Sequence, residues 1–252
     1  MGKTISIVNQ KGGVGKTTTA VNLAAGLGRK GKRVLLVDVD PQGNSTSGYG
    51  VNKRDVALSS YHVLTRGASL GEATLKTEFE GVRLVPATMD LAGAEIEMID
   101  LPHREGVLRA AVSKVRGDYD YILLDCPPSL GLITLNALTA SDTVLVPVQC
   151  EYYALEGLSQ LMATVRLIKQ KYNPGLDLEG VLLTMFDGRL NLTQQVVEEI
   201  KRYFPRKVFA TVIPRTVRLS EAPSFGKPIQ YFDKSNKGAL AYDALAAEMV
   251  KQ

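Results

Sequence analysis

A short apolar run near the start of the chain, Ile5-Ser6-Ile7-Val8, passes through Asn9-Gln10-Lys11-Gly12-Gly13-Val14-Gly15-Lys16-Thr17-Thr18 into Thr19-Ala20-Val21-Asn22-Leu23-Ala24-Ala25. Strand, glycine-rich turn and amphipathic helix in that order leave the backbone little freedom. The glycines let the chain wind until its N–H groups converge on one point, where the helix N-terminus adds partial positive charge. Such a loop cradles phosphate. Lys16 is expected to reach the β and γ phosphates of a nucleotide, and the Thr17 hydroxyl to help hold Mg²⁺. The strict pattern GxxxxGK[ST] would put glycine at position 10. This chain has Gln10 there, and carries a second lysine, Lys11, inside the turn. The spacing alone shows a second cation near the phosphates.

A turn of this kind opens a βα unit, and the rest of the chain continues the pattern. Apolar runs predict strands over Thr4 to Val8, Arg33 to Val37, Val82 to Pro86, Tyr121 to Asp125, Thr143 to Val148, Gly180 to Met185 and Val208 to Ile213. Several are continuously apolar, Ile122-Leu123-Leu124 among them, as befits strands covered by helices on both faces. Amphipathic stretches predict helices over 17–29, 104–115, 155–172, 192–203 and 238–250. The expected class is α/β, a mostly parallel central sheet flanked by helices on both faces. With 252 residues, 45% of them hydrophobic, and no repeat or linker, residues 1–252 are expected to form one domain. The polar, glycine-containing stretch from Asp40 to about Leu75 is the expected mobile region beside the site.

Two strands end in carboxylates. Val34-Leu35-Leu36-Val37 runs into Asp38-Val39-Asp40-Pro41-Gln42-Gly43-Asn44, and Tyr121-Ile122-Leu123-Leu124 into Asp125-Cys126-Pro127-Pro128. Ligands of a parallel sheet collect at these strand ends. Asp125 reads as the Walker B acid that supports Mg²⁺, through a coordinated water. Phosphoryl transfer to water has a loose transition state, so the protein mainly positions the water and stabilises spread charge. Asp40 is the candidate for orienting that water. Turn capping beside Pro41 is the alternative role for both Asp38 and Asp40.

Charge is uneven along the chain. Residues 1–54 hold nine Lys/Arg against two acids, residues 55–200 eleven against twenty, and residues 201–237 nine against two. The last segment offers Lys227 and Lys237 among others. Phosphate contact by such residues is salt-sensitive and blind to sequence.

The lysine-bearing loop resembles the deviant Walker A group of P-loop ATPases, which includes ParA/Soj partition ATPases, MinD-type ATPases and nitrogenase iron protein. Asp38 to Asn44, Asp125 to Gly131, Pro147 to Gly157, Leu183 to Asp187, Ile213 to Arg215 and Arg218 to Ser224 are all similar to ParA/Soj chromosome-partition ATPases. The resemblance implies an ATP- and Mg²⁺-dependent hydrolase. Lys11, Gly12, Gly13, Val14, Gly15, Lys16, Thr17 and Thr18 would hold the phosphates. Met185, Pro214 and Arg215 would border the adenine. Asp38 would lie near the metal with Thr17 and Asp125, and Asp40 would be the hydrolytic residue alongside Lys11 and Lys16. Lys11 would reach across an ATP-dependent homodimer to the partner's phosphates. The paired form would bind DNA without sequence preference, through Arg189 and Arg218 and with Lys227 and Lys237 as further candidates. A ParB-like centromere-binding partner would stimulate slow intrinsic hydrolysis. A bulky side chain at Gly12, in a crowded loop, is expected to block pairing while sparing the fold.

The resemblance also frames the rivals. A MinD-like membrane-associated ATPase would end in a basic amphipathic helix, whereas residues 240–252 hold Asp243, Glu248 and one lysine. An iron-protein reductase would place two cysteines per chain on a cluster, and neither Cys126 nor Cys150 matches those loops. With no membrane span or secretory segment read in the sequence, the expected location is cytoplasmic and nucleoid-associated. His62 and His103 have no partners at ligand spacing and receive no metal or catalytic role.

Overall fold

Seven strands form one sheet in the computed structural model, which describes residues 2–151 and 154–251. The strands are β1 (Lys3–Ile7), β2 (Val34–Asp38), β3 (Leu75–Lys76), β4 (Val82–Val85), β5 (Tyr121–Asp125), β6 (Thr143–Gln149) and β7 (Asp177–Thr184). Their order is β3-β4-β2-β5-β1-β6-β7, and every pairing is parallel except β3 on β4. The helices are α1 (Lys16–Gly28), α2 (Asn44–Gly48), α3 (Ser60–Thr65), α4 (Leu70–Ala73), α5 (Leu91–Glu97), α6 (Val107–Val115), α7 (Leu132–Ala140), α8 (Ala154–Lys171), α9 (Asn191–Tyr203), α10 (Arg218–Glu221), α11 (Ile229–Phe232) and α12 (Lys237–Lys251).

Strand alternation divides the apolar side chains between two cores. Val34 and Leu36 of β2, with Leu123 of β5, face one side, where α1 and α12 supply Leu23, Leu27, Tyr242 and Leu245. Leu35, Val37, Ile122 and Leu124 face the other, under α3 to α8. This explains why the central strands read as unbroken apolar runs. It also places the carboxyl ends of β1, β2 and β5 together, with Asp38 and Asp125 opposite one another in register.

Two expectations need correction. Val208 to Ile213 does not form a strand: beside β7 it makes one isolated bridge, Val181 to Val208, and one further backbone hydrogen bond, from the Ile213 N–H to the Leu183 carbonyl at 2.8 Å. The Ala210 and Thr211 N–H groups donate to the Glu248 carboxylate of α12 at 2.7 and 3.0 Å, so they are withdrawn from any ladder. The seventh strand is instead β3, two residues long. The stretch from Asp40 to Leu75 is also not a loose loop. It folds into α2, α3 and α4 and buries Ser45, Thr46, Val63, Leu64 and Leu70.

Phe209 packs directly over β7, where a Cβ on Gly180 would lie 2.6 Å from its ring. Gly180→Ala is expected to cost about 1–3 kcal/mol through overpacking. Urea unfolding is expected to show a lower midpoint at unchanged slope.

Candidate active site

The loop between β1 and α1 has its two sharpest bends at Gly13 and Gly15, with φ of 74° and 90°. Both lie in the left-handed region that costs side-chain-bearing residues energy. Gly15 also forms the N-cap of α1, so the N–H groups of the first helical turn lie beside the loop. Thr184 at the end of β7 braces the turn by donating its hydroxyl to the Val14 carbonyl at 2.8 Å. A Cβ on Gly12 would meet nothing within 4 Å. The crowding expected at Gly12 is therefore not supplied by the chain itself.

The two lysines of the loop go opposite ways. Lys16 is buried, 7% exposed, and donates to the Lys11 carbonyl at 3.1 Å. Burial pushes its ammonium below the ordinary lysine value, while Asp125, Asp40 and Cys126 oppose the shift. The Lys11 side chain is 44% exposed and reaches outward to Glu151, Nζ to Oε2 2.6 Å. Such an exposed pair contributes at most about 1 kcal/mol, so a more highly charged anion can displace it.

Behind the loop the carboxylates are held by α2. Asp38 is fully buried. Its Oδ2 accepts the Thr46 N–H at 2.8 Å and the Thr46 hydroxyl at 2.7 Å, while Oδ1 accepts the Asp40 N–H at 3.2 Å. Both Asp38 oxygens are thus engaged in holding the chain after β2. Asp125 accepts the Ser45 hydroxyl at 2.8 Å on Oδ2, and its buried Oδ1 has no partner among the described residues. Desolvation raises the pKa values of both Asp38 and Asp125 above the ordinary carboxylate range. For Asp125 the neighbouring Asp38 adds to the rise, while the Ser45 and Thr17 hydroxyls oppose it. A buried carboxylate oxygen with no partner, strained toward its neutral form, is the donor that a divalent cation satisfies. Asp40 is 7% exposed, and its Oδ1 accepts the Gln42 N–H at 2.9 Å, the Asx turn weighed as its alternative role.

On the other side of the loop Met185, Pro214 and Arg215 come together with Gly15, Thr18 and Val217 around a cleft of about 370 Å³. The cleft opens directly onto the phosphate loop and is partly apolar, the kind of space that takes a heterocyclic base. A larger groove of about 820 Å³, lined by Ile96, Leu130 and Leu167, lies away from the strand ends that carry the chemistry.

The family model described as AAA domain matches residues 2–178. Sporulation initiation inhibitor protein Soj of Bacillus subtilis (strain 168) is 59% identical over 249 residues, 99% of this chain and 98% of the relative. Chromosome partitioning protein ParA of Myxococcus xanthus (strain DK1622) is 54% identical over 252 residues, covering 100% and 89%. The chain belongs to the ParA/Soj family of P-loop ATPases. Among solved structures, cobyrinic acid a,c-diamide synthase from Mycobacterium smegmatis with bound ATP analog and magnesium superposes with a TM-score of 0.87 at 38% identity, covering 100% of this chain and 95% of that one.

In this ParA/Soj-family chain the basic residues expected to meet DNA are not equivalent. Arg189 is exposed but pairs with Asp187 at 2.6 Å. Arg218 pairs with Glu221 at 2.9 Å and Asp233 at 3.3 Å, and stacks its guanidinium over the Phe232 ring. Lys227 borders a cavity shared with Thr17, Thr18 and Asn44, and Lys237 opens α12 near enough to Asp187 to help hold that carboxyl low. Both cysteines are buried, Cys126 fully. Burial pushes their thiols up, Cys150 to about 11. His62 accepts the Ser59 N–H and caps α3. In the block from Pro147 to Gly157, residues 152 and 153 lie outside the described residues. Sequence reasoning missed Ser45, Thr46, Thr184 and Glu151. The only signal was the pair of hydroxyls directly after Pro41-Gln42-Gly43-Asn44.

Proposed function

We propose that the chain is a partition ATPase whose nucleotide-bound form pairs with a second copy, binds DNA without sequence preference and lets go on hydrolysis. The observation that carries this reading is the division of labour between the two loop lysines: Lys16 is committed inward, whereas Lys11 turns outward from the same loop to pair with Glu151 at the surface. One chain needs one lysine at its own phosphates; the outward cation suits the phosphates of another copy. The relatives named for chromosome partitioning support the same role.

ATP and Mg²⁺ are the cofactors, as the ATP-analog and magnesium complex of the related synthase supports. Gly12 to Thr18 hold the phosphates, Met185, Pro214 and Arg215 border the base, and the Thr17 hydroxyl and Asp125 sit on the metal side, the latter through its unpartnered oxygen. Bound Mg²⁺ neutralises charge on the β and γ phosphate oxygens. Asp38 anchors α2, while Asp40 orients the water. Two weakly basic surfaces brought onto one duplex gain through effective concentration, so nucleotide governs DNA affinity. A cationic peptide from a ParB-like partner would speed hydrolysis by adding charge stabilisation.

The membrane alternative has less support. Gly238, Ala239, Tyr242, Leu245, Ala246 and Met249 of α12 are buried in the core beside α1, so its apolar face is already used. Among the described residues no helix is long and apolar enough to cross a membrane.

Co-sedimentation of wild type and Gly12→Val with duplex DNA or anionic liposomes, each with ATP, ADP or neither, tests the proposal. Wild type is expected to pellet with DNA only with ATP, and with liposomes in no condition. Gly12→Val is expected to remain folded, bind ATP and stay off DNA. ATP-dependent liposome pelleting without DNA retention overturns the reading in favour of the membrane.

A further inference from the structure

The elements around the carboxylates and the basic C-terminal segment meet in three places. The first turn of α2 is tied to both carboxylates, Ser45 to Asp125 and Thr46 to Asp38. Just past its other end, Gly50 packs backbone to backbone against Gly226. Both have positive φ, 74° and 62°, and a Cβ on Gly226 would lie 2.5 Å from the Gly50 Cα. Beside this contact the Tyr49 ring meets Phe79 edge-on at 5.3 Å, and Phe79 meets Tyr231 at 4.8 Å. From α1, Asn22 donates its Nδ2 to the Thr18 carbonyl at 2.7 Å, and its Oδ1 accepts the Ile229 N–H at 2.7 Å. Lys227 follows Gly226 directly.

We infer that α2 and the Gly50–Gly226 contact form a joint through which the state of the Asp38 and Asp125 carboxylates sets the position of the turn at 222–227, so that this basic segment responds to Mg²⁺-nucleotide within a single chain. The inference rests on the reading of Asp125 as a metal-side residue. Its physical basis is stiffness. A helix of five residues anchored at both ends has little slack, and a contact between two bare backbones cannot be absorbed by a rotamer change as a side-chain contact can. Satisfying the free Asp125 oxygen redistributes the hydrogen bond that Ser45 makes, and so gives the two states of α2 different energies. Contiguity is not coupling, so the test has to measure the response itself.

The chain has no tryptophan, so Phe225→Trp introduces a single indole one residue from the joint. Phe225 is exposed and packs on Phe232 at 4.9 Å. Its emission is followed during titration with Mg²⁺-ADP and Mg²⁺-ATP, at concentrations where light scattering reads single chains, and nucleotide binding is measured in parallel by calorimetry. The emission is expected to shift with the same half-point as binding. With Gly226→Ala or Gly50→Ala added, binding is expected to persist while the shift falls about 5-fold or more, the loss of an ordinary coupling. Should Gly226→Ala fail to fold, Gly50→Ala decides, because the atom nearest its Cβ would be the Gly226 carbonyl oxygen at 3.2 Å, against 2.5 Å for the closest atom in the reverse substitution. Binding without an emission shift in the parent, or an undiminished shift in the joint variants, overturns the inference. DNA retention is scored separately: an intact shift in a protein that never binds DNA removes the DNA reading and leaves the joint.

Discussion

Lys16→Ala is expected to abolish nucleotide binding at concentrations that saturate wild type, with affinity falling by roughly a hundred-fold or more. The Lys16 ammonium is the one cation the loop has drawn inside, and it is desolvated before any ligand arrives. Hydrogen bonds between charged groups contribute about 1.5–3 kcal/mol each, and more than one phosphate oxygen lies within reach of a single ammonium. Deleting it also removes the positive charge that faces Asp125 and Asp40. Titration calorimetry with ATP checks the loss. A thermal melt within a few degrees of wild type separates it from misfolding, since the backbone around Gly13 and Gly15 and the Thr184 brace remain. Lys11→Ala is the informative contrast. Its ammonium pairs with Glu151, and removing it leaves the inward cation in place. Wild-type nucleotide affinity in Lys16→Ala would mean that the loop binds phosphate through its backbone alone.

The phosphate loop and the strand ends were legible in the sequence because their chemistry is local. Glycine order, a lysine at a fixed offset and an aspartate closing an apolar run are all written within a few residues of one another. Helix α7 was not legible for the opposite reason: Leu132-Ile133-Thr134-Leu135-Asn136-Ala137-Leu138 is buried on nearly all sides, so no polar stripe marks its period. The segment 208–213 has the composition of a strand, but the N–H groups at its middle, those of Ala210 and Thr211, are claimed by a carboxylate on α12, far away in sequence. Strand β3 is too short to have a pattern. In the site itself the missing information is also non-local. Glu151 meets Lys11 across 140 residues, and the hydroxyls of Ser45 and Thr46 acquire a purpose only when β2 and β5 lie side by side in register. The Asp38 carboxylate shows the same limit. The resemblance implies a place near the metal for it, but could not show that the Asp40 N–H and the Thr46 N–H and hydroxyl engage both of its oxygens after β2.

Asp40 combines two duties that substitution can separate. As a turn residue it holds the Gln42 N–H through Oδ1; as the proposed hydrolytic residue it orients a water through a charged oxygen. Asp40→Ala removes both, and Asp40→Asn keeps a carbonyl oxygen for the turn while deleting the charge. The expected result is that both variants bind ATP, pair and stay on DNA, with hydrolysis lower by about 10²-fold or more, the usual contribution of a positioned acid–base group. Only Asp40→Ala is expected to lose stability, by about 1 kcal/mol for the missing hydrogen bond. The opposite assignment makes a different forecast: were Asp40 no more than a turn residue, Asp40→Asn would hydrolyse like wild type. Phosphate release under single-turnover conditions, with DNA present, distinguishes the two, because it reads the chemical step apart from binding and product release. A protein locked on DNA by loss of this one carboxylate would show that release from DNA is driven by hydrolysis and not by nucleotide exchange.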